Sequence, residues 1–204
     1  MNFKTVIFDL GGVVININTQ QSFAAFARLA NLGEQEVQAL ASHPVFEQHE
    51  KGQVSDETFR NTIREFASET MSNEAIDQAW NAMLLDVPPE RLNLMAELRS
   101  RYHTLVLSNT NNIHVQSFNR AINEVSGREG IHEFVHKVYY SHEMGKRKPD
   151  TEIFEQVIHQ ENIRPEQTLF LDDKLENVNA AKQTGLQAVQ ITPERDLINF
   201  FATL

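Results

Sequence analysis

Short apolar runs bounded by polar residues recur along the chain at Lys4–Phe8, Thr104–Leu107, Lys137–Tyr140, Thr168–Leu171 and Ala188–Ile191. Runs this short, apolar at consecutive positions, suit strands buried on both faces of a parallel sheet. Between the later ones the period lengthens to that of a helix. Ile153, Phe154, Val157 and Ile158 form one apolar stripe. The segment Leu175–Thr184 stops at Gly185, a residue suited to the left-handed position after a helix. Alternating strands and helices predict an α/β fold, a doubly wound parallel sheet with right-handed crossovers.

The interval from about Asn16 to Val87 is different. It carries helical periodicity and no clear strand. Phe23, Phe26 and Ala30 fall on one helix face; Phe59, Ile63 and Phe66 fall on another. That second helix opens at Ser55 as N-cap, with Asp56 and Glu57 in its first turn. Ile76, Trp80, Met83 and Leu84 mark a third. Pro88 and Pro89 break the pattern and start the helix that holds Leu92, Met95 and Leu98. The expected division is an α/β core of residues 1–15 and 88–204, with residues 16–87 inserted as a helical cap after the first strand. A length of 204 residues fits a core with one such insertion.

Composition narrows the partners. With 41% apolar and 23% charged residues the chain reads as an ordinary globular protein. No apolar run approaches the ~18 residues of a membrane span, so no membrane partner is expected. The stretch Phe3–Phe8 stops at an Asp, unlike a secretory segment. The absence of cysteine excludes disulfides and thiolate metal sites, and a cytoplasmic location is the default expectation. A formal charge of −10 argues against nucleic acid, because a binding face would work against a repulsive field. One basic cluster, Lys146-Arg147-Lys148, fits a single phosphate group better than a polyanion track.

The chemistry lies where strands end, which is where open parallel sheets bind ligands. The first strand runs into Phe8-Asp9-Leu10-Gly11-Gly12, where two glycines let the chain turn sharply and aim backbone N–H groups at an anion. The second ends in Ser108-Asn109-Thr110, a hydroxyl followed by further amides. Lys148 precedes Pro149, which suits the first turn of the next helix. The fourth strand ends in Asp172-Asp173. All four motifs fall at exits of one sheet, so carboxylates, an ammonium, a hydroxyl and amides converge on one edge. The carboxylates would repel one another without a cation among them, and oxygen ligands suit Mg²⁺.

At these residues the sequence resembles the haloacid dehalogenase-like superfamily, with its ordered Asp loop, Ser/Thr loop, Lys and acidic pair on a Rossmann-like sheet. Within its capped branch it looks most like bacterial sugar-phosphate phosphatases of the glucose-1-phosphate phosphatase type and the phosphatase domain of soluble epoxide hydrolases. The stretches Gln48-His49-Glu50-Lys51-Gly52 and Gly145-Lys146-Arg147-Lys148-Pro149 carry that likeness. The resemblance implies a phosphatase of small phosphorylated molecules, sugar 1-phosphates among them. Asp9 would be the nucleophile, forming an aspartyl-phosphate, and also a Mg²⁺ ligand beside the Gly11 carbonyl and Asp173, with Asp172 just behind. Ser108, the Asn109 amide, Lys148 and the amides of Leu10 and Gly11 would hold the phosphoryl oxygens. The family usually places a second Asp, a general acid, where this chain has Gly11. His49 and Glu50 are candidates to replace it; the alternative is a catalytically weak or non-catalytic phosphate-binding or regulatory protein. A dehalogenase also uses an Asp nucleophile, but has no use for Asp172-Asp173. A response-regulator receiver carries its acidic pair at the first strand rather than the fourth.

Overall fold

The computed structural model describes residues 3–66 and 71–203; residues 1–2, 67–70 and 204 of the expected core and insertion lie outside them. Strands β1 (Thr5–Phe8), β2 (His103–Ser108), β3 (Lys137–Tyr140), β4 (Thr168–Asp172) and β5 (Gln187–Gln190) form one parallel sheet in the order β3-β2-β1-β4-β5. Each lies within one residue of the run that predicts it. Chain progress reverses at β1, and the crevice at such a switch point is where ligands bind. Register sets the levels of the exits. Phe8 pairs with Val106 on one side and Leu171 on the other, so Asp9 lies level with Leu107 and Asp172.

Alternation along the strands feeds two cores. Val6, Phe8, Val106 and Leu171 pack on one face with Leu92 and Met95 of α6 (Pro89–Arg99), Phe118 and Ile122 of α7 (Asn112–Ser126) and Phe200 of α11 (Leu197–Ala202). Ile7, Leu105, Leu107 and Phe170 pack on the other with Ile153, Phe154 and Val157 of α9 (Thr151–Glu161) and Val178 and Ala181 of α10 (Leu175–Gln183). Helices on both faces give the doubly wound sheet. Gly185 follows α10 with φ +87°, as its position predicts. Pro149 differs from expectation: it lies outside α9, one residue before the N-cap Asp150.

Between β1 and α6 lie α1 (Thr19–Ala30), α2 (Glu34–Ala41), α3 (Val45–Glu50), α4 (Asp56–Glu65) and α5 (Asn73–Asn81). Phe26, Leu40, Val45, Phe59, Ile63, Ile76 and Trp80 form an apolar cluster of their own, joined by Ile113 of α7. Ser55 caps α4 as expected, its hydroxyl accepting from the Thr58 N–H. Met83 and Leu84 are not on α5. The Ser22 hydroxyl accepts the Met83 N–H and donates to the Trp80 carbonyl, which ends the helix. The chain then pairs with the incoming segment: Asn18 N–H donates to Met83 O at 2.8 Å, and Leu85 N–H to Asn16 O at 2.9 Å. Among the described residues no helix is long and apolar enough to cross a membrane.

Candidate active site

Lys148 is a fully buried lysine, placed between β3 and α9. Its Nζ donates to Asp9 Oδ1 at 2.7 Å, Asp172 Oδ2 at 2.7 Å and the Leu107 carbonyl at 2.9 Å, which uses all three hydrogens. A buried ammonium is tolerable only with this degree of pairing. The Lys148 backbone is fixed as well: its N–H donates to Asn109 Oδ1, and Asn109 Nδ2 donates back to its carbonyl, at 2.9 and 2.8 Å. The Asn109 side chain is therefore committed to placing Lys148, and only its backbone amide remains for an anion. For the Ser108 hydroxyl, no hydrogen bond is found among the described residues.

Burial sets the electrostatics. The Asp9 carboxyl is raised from 3.8 to about 7: burial raises it most, Lys148 pulls it back, and Asp172 and Asp173 add to the rise. On Lys148 burial acts downwards, but Asp9 and Asp172 more than offset it, and the ammonium titrates above its usual range. Burial and Asp172 also raise Asp173. One oxygen from each of Asp9, Asp172 and Asp173 lies within 4.8 Å of the others. Asp172 already accepts at both oxygens, from Lys148 and from the Lys174 N–H and Asn177 Nδ2. Asp9 accepts from Lys148 at one only. Asp9 and Asp173 thus have oxygens to offer a hard divalent cation, and Asp172 holds the lysine.

The loop after β1 narrows the expected set of anion-binding amides. Gly12 N–H is taken by the Ile15 carbonyl at 2.8 Å, so of the residues after Asp9 the amides of Leu10 and Gly11 are the candidates. Gly12 has another purpose. Its φ is +77°, and a Cβ there would lie 2.5 Å from Asp173 Oδ2. Gly12→Ala is expected to cost about 1–2 kcal/mol for the left-handed backbone and to displace Asp173, weakening divalent cation binding as read by titration and Tm. A Cβ at Gly11 meets only the flexible end of Ile17, at 3.0 Å, so Gly11→Ala should leave cation binding intact. Equal effects at the two positions would overturn this account of Gly12.

The basic cluster does not converge on one anion. Arg147 turns to Glu50 at 3.0 Å and Glu47 at 3.8 Å on α3, and Lys146 to Glu152. Each cation follows its nearest carboxylate, so only Lys148 reaches Asp9. The proposed substitutes for the missing acid sit on α3. His49 Nε2 bonds Asp56 Oδ1 at 2.8 Å, and its ring stacks on Phe59. Glu50 is tied to Arg147, and burial raises its carboxyl. Among the described residues Lys148 is the only side chain hydrogen-bonded to Asp9.

Residues 3–185 match the haloacid dehalogenase-like hydrolase family. The chain belongs to that family. Among curated relatives, D-ribitol-5-phosphate phosphatase of Bacteroides thetaiotaomicron is 30% identical, covering 92% of this chain and 91% of the relative. Sesquiterpene phosphatase of Aspergillus oryzae is 27% identical, covering 93% and 90%. A crystal structure of a haloacid dehalogenase family enzyme of B. thetaiotaomicron in complex with magnesium and inorganic phosphate superposes with a TM-score of 0.86 at 33% identity, covering 98% and 99%.

Residues that no sequence motif singles out also hold the site of this hydrolase together. Asn177, in the first turn of α10, donates its Nδ2 hydrogens to both oxygens of Asp172 at 2.9 and 3.1 Å. Ser141 opens α8 (Ser141–Met144); its hydroxyl accepts the Thr110 N–H at 2.9 Å and donates to the Glu50 carbonyl at 2.6 Å. That hydroxyl joins the loop after β2 to α3. Gly52 packs so closely there that a Cβ would lie 2.1 Å from the His142 carbonyl.

Proposed function

We propose that this hydrolase is a Mg²⁺-dependent phosphatase of small phosphomonoesters, working through an aspartyl-phosphate on Asp9. The observation that carries the reading is Asp9 itself: a buried carboxylate that accepts from Lys148 at one oxygen and lies beside Asp173. The relatives' names, and the magnesium and phosphate bound in the solved structure, support it. Residues 1–15 and 88–204 form the catalytic core, and residues 16–87 act as its cap. Asp9, Asp173 and the Gly11 carbonyl would hold the metal, which neutralises phosphoryl charge when bound. Lys148, the Ser108 hydroxyl and the amides of Leu10, Gly11 and Asn109 hold phosphoryl oxygens, with Asp172 steering Lys148. Asp9 attacks phosphorus, the ester oxygen departs, and water then cleaves the acyl phosphate. Excess chelator should abolish phosphate release and Mg²⁺ restore it; undiminished turnover in chelator overturns the metal assignment. Acid-quenched enzyme should carry phosphate on Asp9, whereas a purely phosphate-binding protein would not.

Gly11 bears on the choice of ester. It supplies no proton to the departing oxygen, so the rate should follow leaving-group acidity, with aryl phosphates and sugar 1-phosphates above sugar 6-phosphates. Both cap candidates are already bonded, Glu50 to Arg147 and His49 Nε2 to Asp56; burial raises the Glu50 carboxyl, which favours its holding a proton. A comparison of kcat/KM for matched 1- and 6-phosphates decides the point; equal rates mean that a donor such as Glu50 already serves. Either result leaves the phosphatase assignment standing.

A further inference from the structure

Helix α3 ends at Glu50, and the last carbonyls of a helix lack partners within it. Three of them find backbone donors close by. Glu47 O accepts from the Lys51 N–H at 2.9 Å, Gln48 O from the Gln53 N–H at 2.8 Å and His49 O from the Gly52 N–H at 3.0 Å. The Glu50 carbonyl finds its donor 91 residues along the chain, in the Ser141 hydroxyl at 2.6 Å. Ser141 is 0% exposed, so this bond is made away from water. The turn that follows α3 is seated as closely. Gly52 has φ +64°, and its contact with the His142 carbonyl leaves no room for a Cβ.

The same hydroxyl holds the loop after β2, its oxygen accepting the Thr110 N–H at 2.9 Å. A hydroxyl has one hydrogen to give. Two carbonyls lie within its reach, Glu50 at 2.6 Å and Thr110 at 3.1 Å. The hydrogen goes to Glu50, because the Thr110 carbonyl has a second donor in His142 Nδ1 at 3.1 Å. With that division both backbone groups of Thr110 and the end of α3 are paired. Thr110 follows Asn109, whose amide is assigned to a phosphoryl oxygen. The Asn109 side chain is bonded to the Lys148 backbone at 2.9 and 2.8 Å. The Asn109 amide is thus set from two directions, by Lys148 through its own side chain and by Ser141 through the next peptide. Glu50, for its part, turns its carboxylate to Arg147, one residue before Lys148.

We propose that Ser141 is a positioning residue for phosphoryl binding: its buried hydroxyl sets the Asn109 amide against the end of α3, so that the phosphoryl loop and the insertion hold each other in place. This rests on the phosphoryl-binding part of the phosphatase reading and adds to it a residue that touches no phosphoryl oxygen. The hydroxyl bonds only Thr110 and Glu50 among the described residues, and nothing on the turn after β1 or at the end of β4, where the metal ligands lie. Its loss therefore bears on the anion and spares the cation.

The test measures binding of inorganic phosphate, binding of Mg²⁺ and turnover of an aryl phosphate in the wild type, Ser141→Ala and Ser141→Cys. Alanine removes one oxygen atom and leaves two backbone groups unpaired; cysteine keeps the shape with a weaker donor and acceptor. Calorimetry in Mg²⁺ should show phosphate bound about tenfold more weakly by Ser141→Ala, with Ser141→Cys between it and the wild type. The Mg²⁺ dissociation constant, taken without phosphate, should stay within about twofold, as for distant independent sites. The kcat of Ser141→Ala should fall at least about tenfold, since a displaced amide no longer meets the charge that develops on the phosphoryl group. Unchanged phosphate affinity in Ser141→Ala overturns the proposal. So does an equal loss of Mg²⁺ affinity, which would mean general loosening, or weaker phosphate binding by Ser141→Cys than by Ser141→Ala, which would mean that space rather than hydrogen bonding matters. Phosphate binding is read without turnover. Weakened binding in Ser141→Ala therefore supports the proposal even if the wild type hydrolyses no ester, an outcome that sinks the phosphatase reading alone. Undiminished turnover of the aryl phosphate in both variants sinks the proposal and leaves that reading intact.

Discussion

Asp9→Asn is expected to remove turnover, to below about 1% of wild type, while the protein stays folded. The amide has nearly the volume of the carboxylate, and its oxygen still accepts from Lys148, but it is not an anionic nucleophile. The structure adds a prediction about stability. Asp9 titrates at about 7 in the folded chain against 3.8 in an unfolded one, so the folded state holds the extra proton between those values. Stability of the metal-free protein therefore falls as pH rises from about 4 to 7. Asparagine mimics the protonated form and removes that slope. In chelator, the variant's Tm should exceed the wild type's by more at pH 8 than at pH 5. Phosphate release above the stated level, with contaminating enzyme excluded, would remove Asp9 from the chemistry; a lower Tm at pH 8 would show that its charge is not a burden on the fold.

Lys148→Met should be the most destabilising single change at the site. The ammonium is the only side-chain cation paired with Asp9 and Asp172 among the described residues, and it is 1% exposed. Removing one partner of a buried ion pair costs about 3–5 kcal/mol, because the remaining charge is stranded. In a chain of this length that lowers Tm by roughly 10 °C. Catalysis should fall as well, since phosphoryl charge loses its fixed counterion. The loss of Lys148 raises the folded pKa of Asp9 further above its unfolded value, so the deficit should widen from pH 5 to pH 8. The double variant Lys148→Met, Asp172→Asn removes a stranded charge together with the lysine. It should recover much of the lost Tm and remain inactive, as scanning calorimetry and phosphate release would show. Failure of the second substitution to recover stability would mean that Lys148 acts through packing rather than charge.

The sheet and its exits were legible because burial on both faces forces consecutive apolar positions, and the change to polar residues marks each exit. Asp9, Ser108 and Asp172 follow directly from that change. Weakly amphipathic or short helices were not legible: α2 buries only Leu40, and α3 has six residues. The end of α5 depends on Ser22, which lies 58 residues before Trp80, and no local pattern encodes that bond. The site shows the same limit. Lys148 is recognisable from its place before Pro149, yet the charge run around it divides because Glu47, Glu50 and Glu152 draw its neighbours away. Asn177, Ser141 and the side chain of Asn109 act on the site through tertiary proximity alone. His49 stands out by its motif, but its ring has a partner in Asp56 that spacing does not reveal.

The position of β1 has a consequence for the order in which the molecule is made. It leaves the ribosome before either strand it pairs with, yet it occupies the centre of the sheet, and its neighbours are residues 103–106 and 168–171. Helices α1–α5, with an apolar cluster nearly all their own, are synthesised before either neighbour exists. Local helical contacts form early, while pairings of such long sequence separation wait for distant chain and carry a larger loop-closure cost. The insertion is thus complete while Thr5–Phe8 is still without a partner, and Asp9 meets Asp172 only when the fourth strand emerges. The nascent chain holds Asp9 apart from Asp172 and Asp173 until more than 160 further residues have been made.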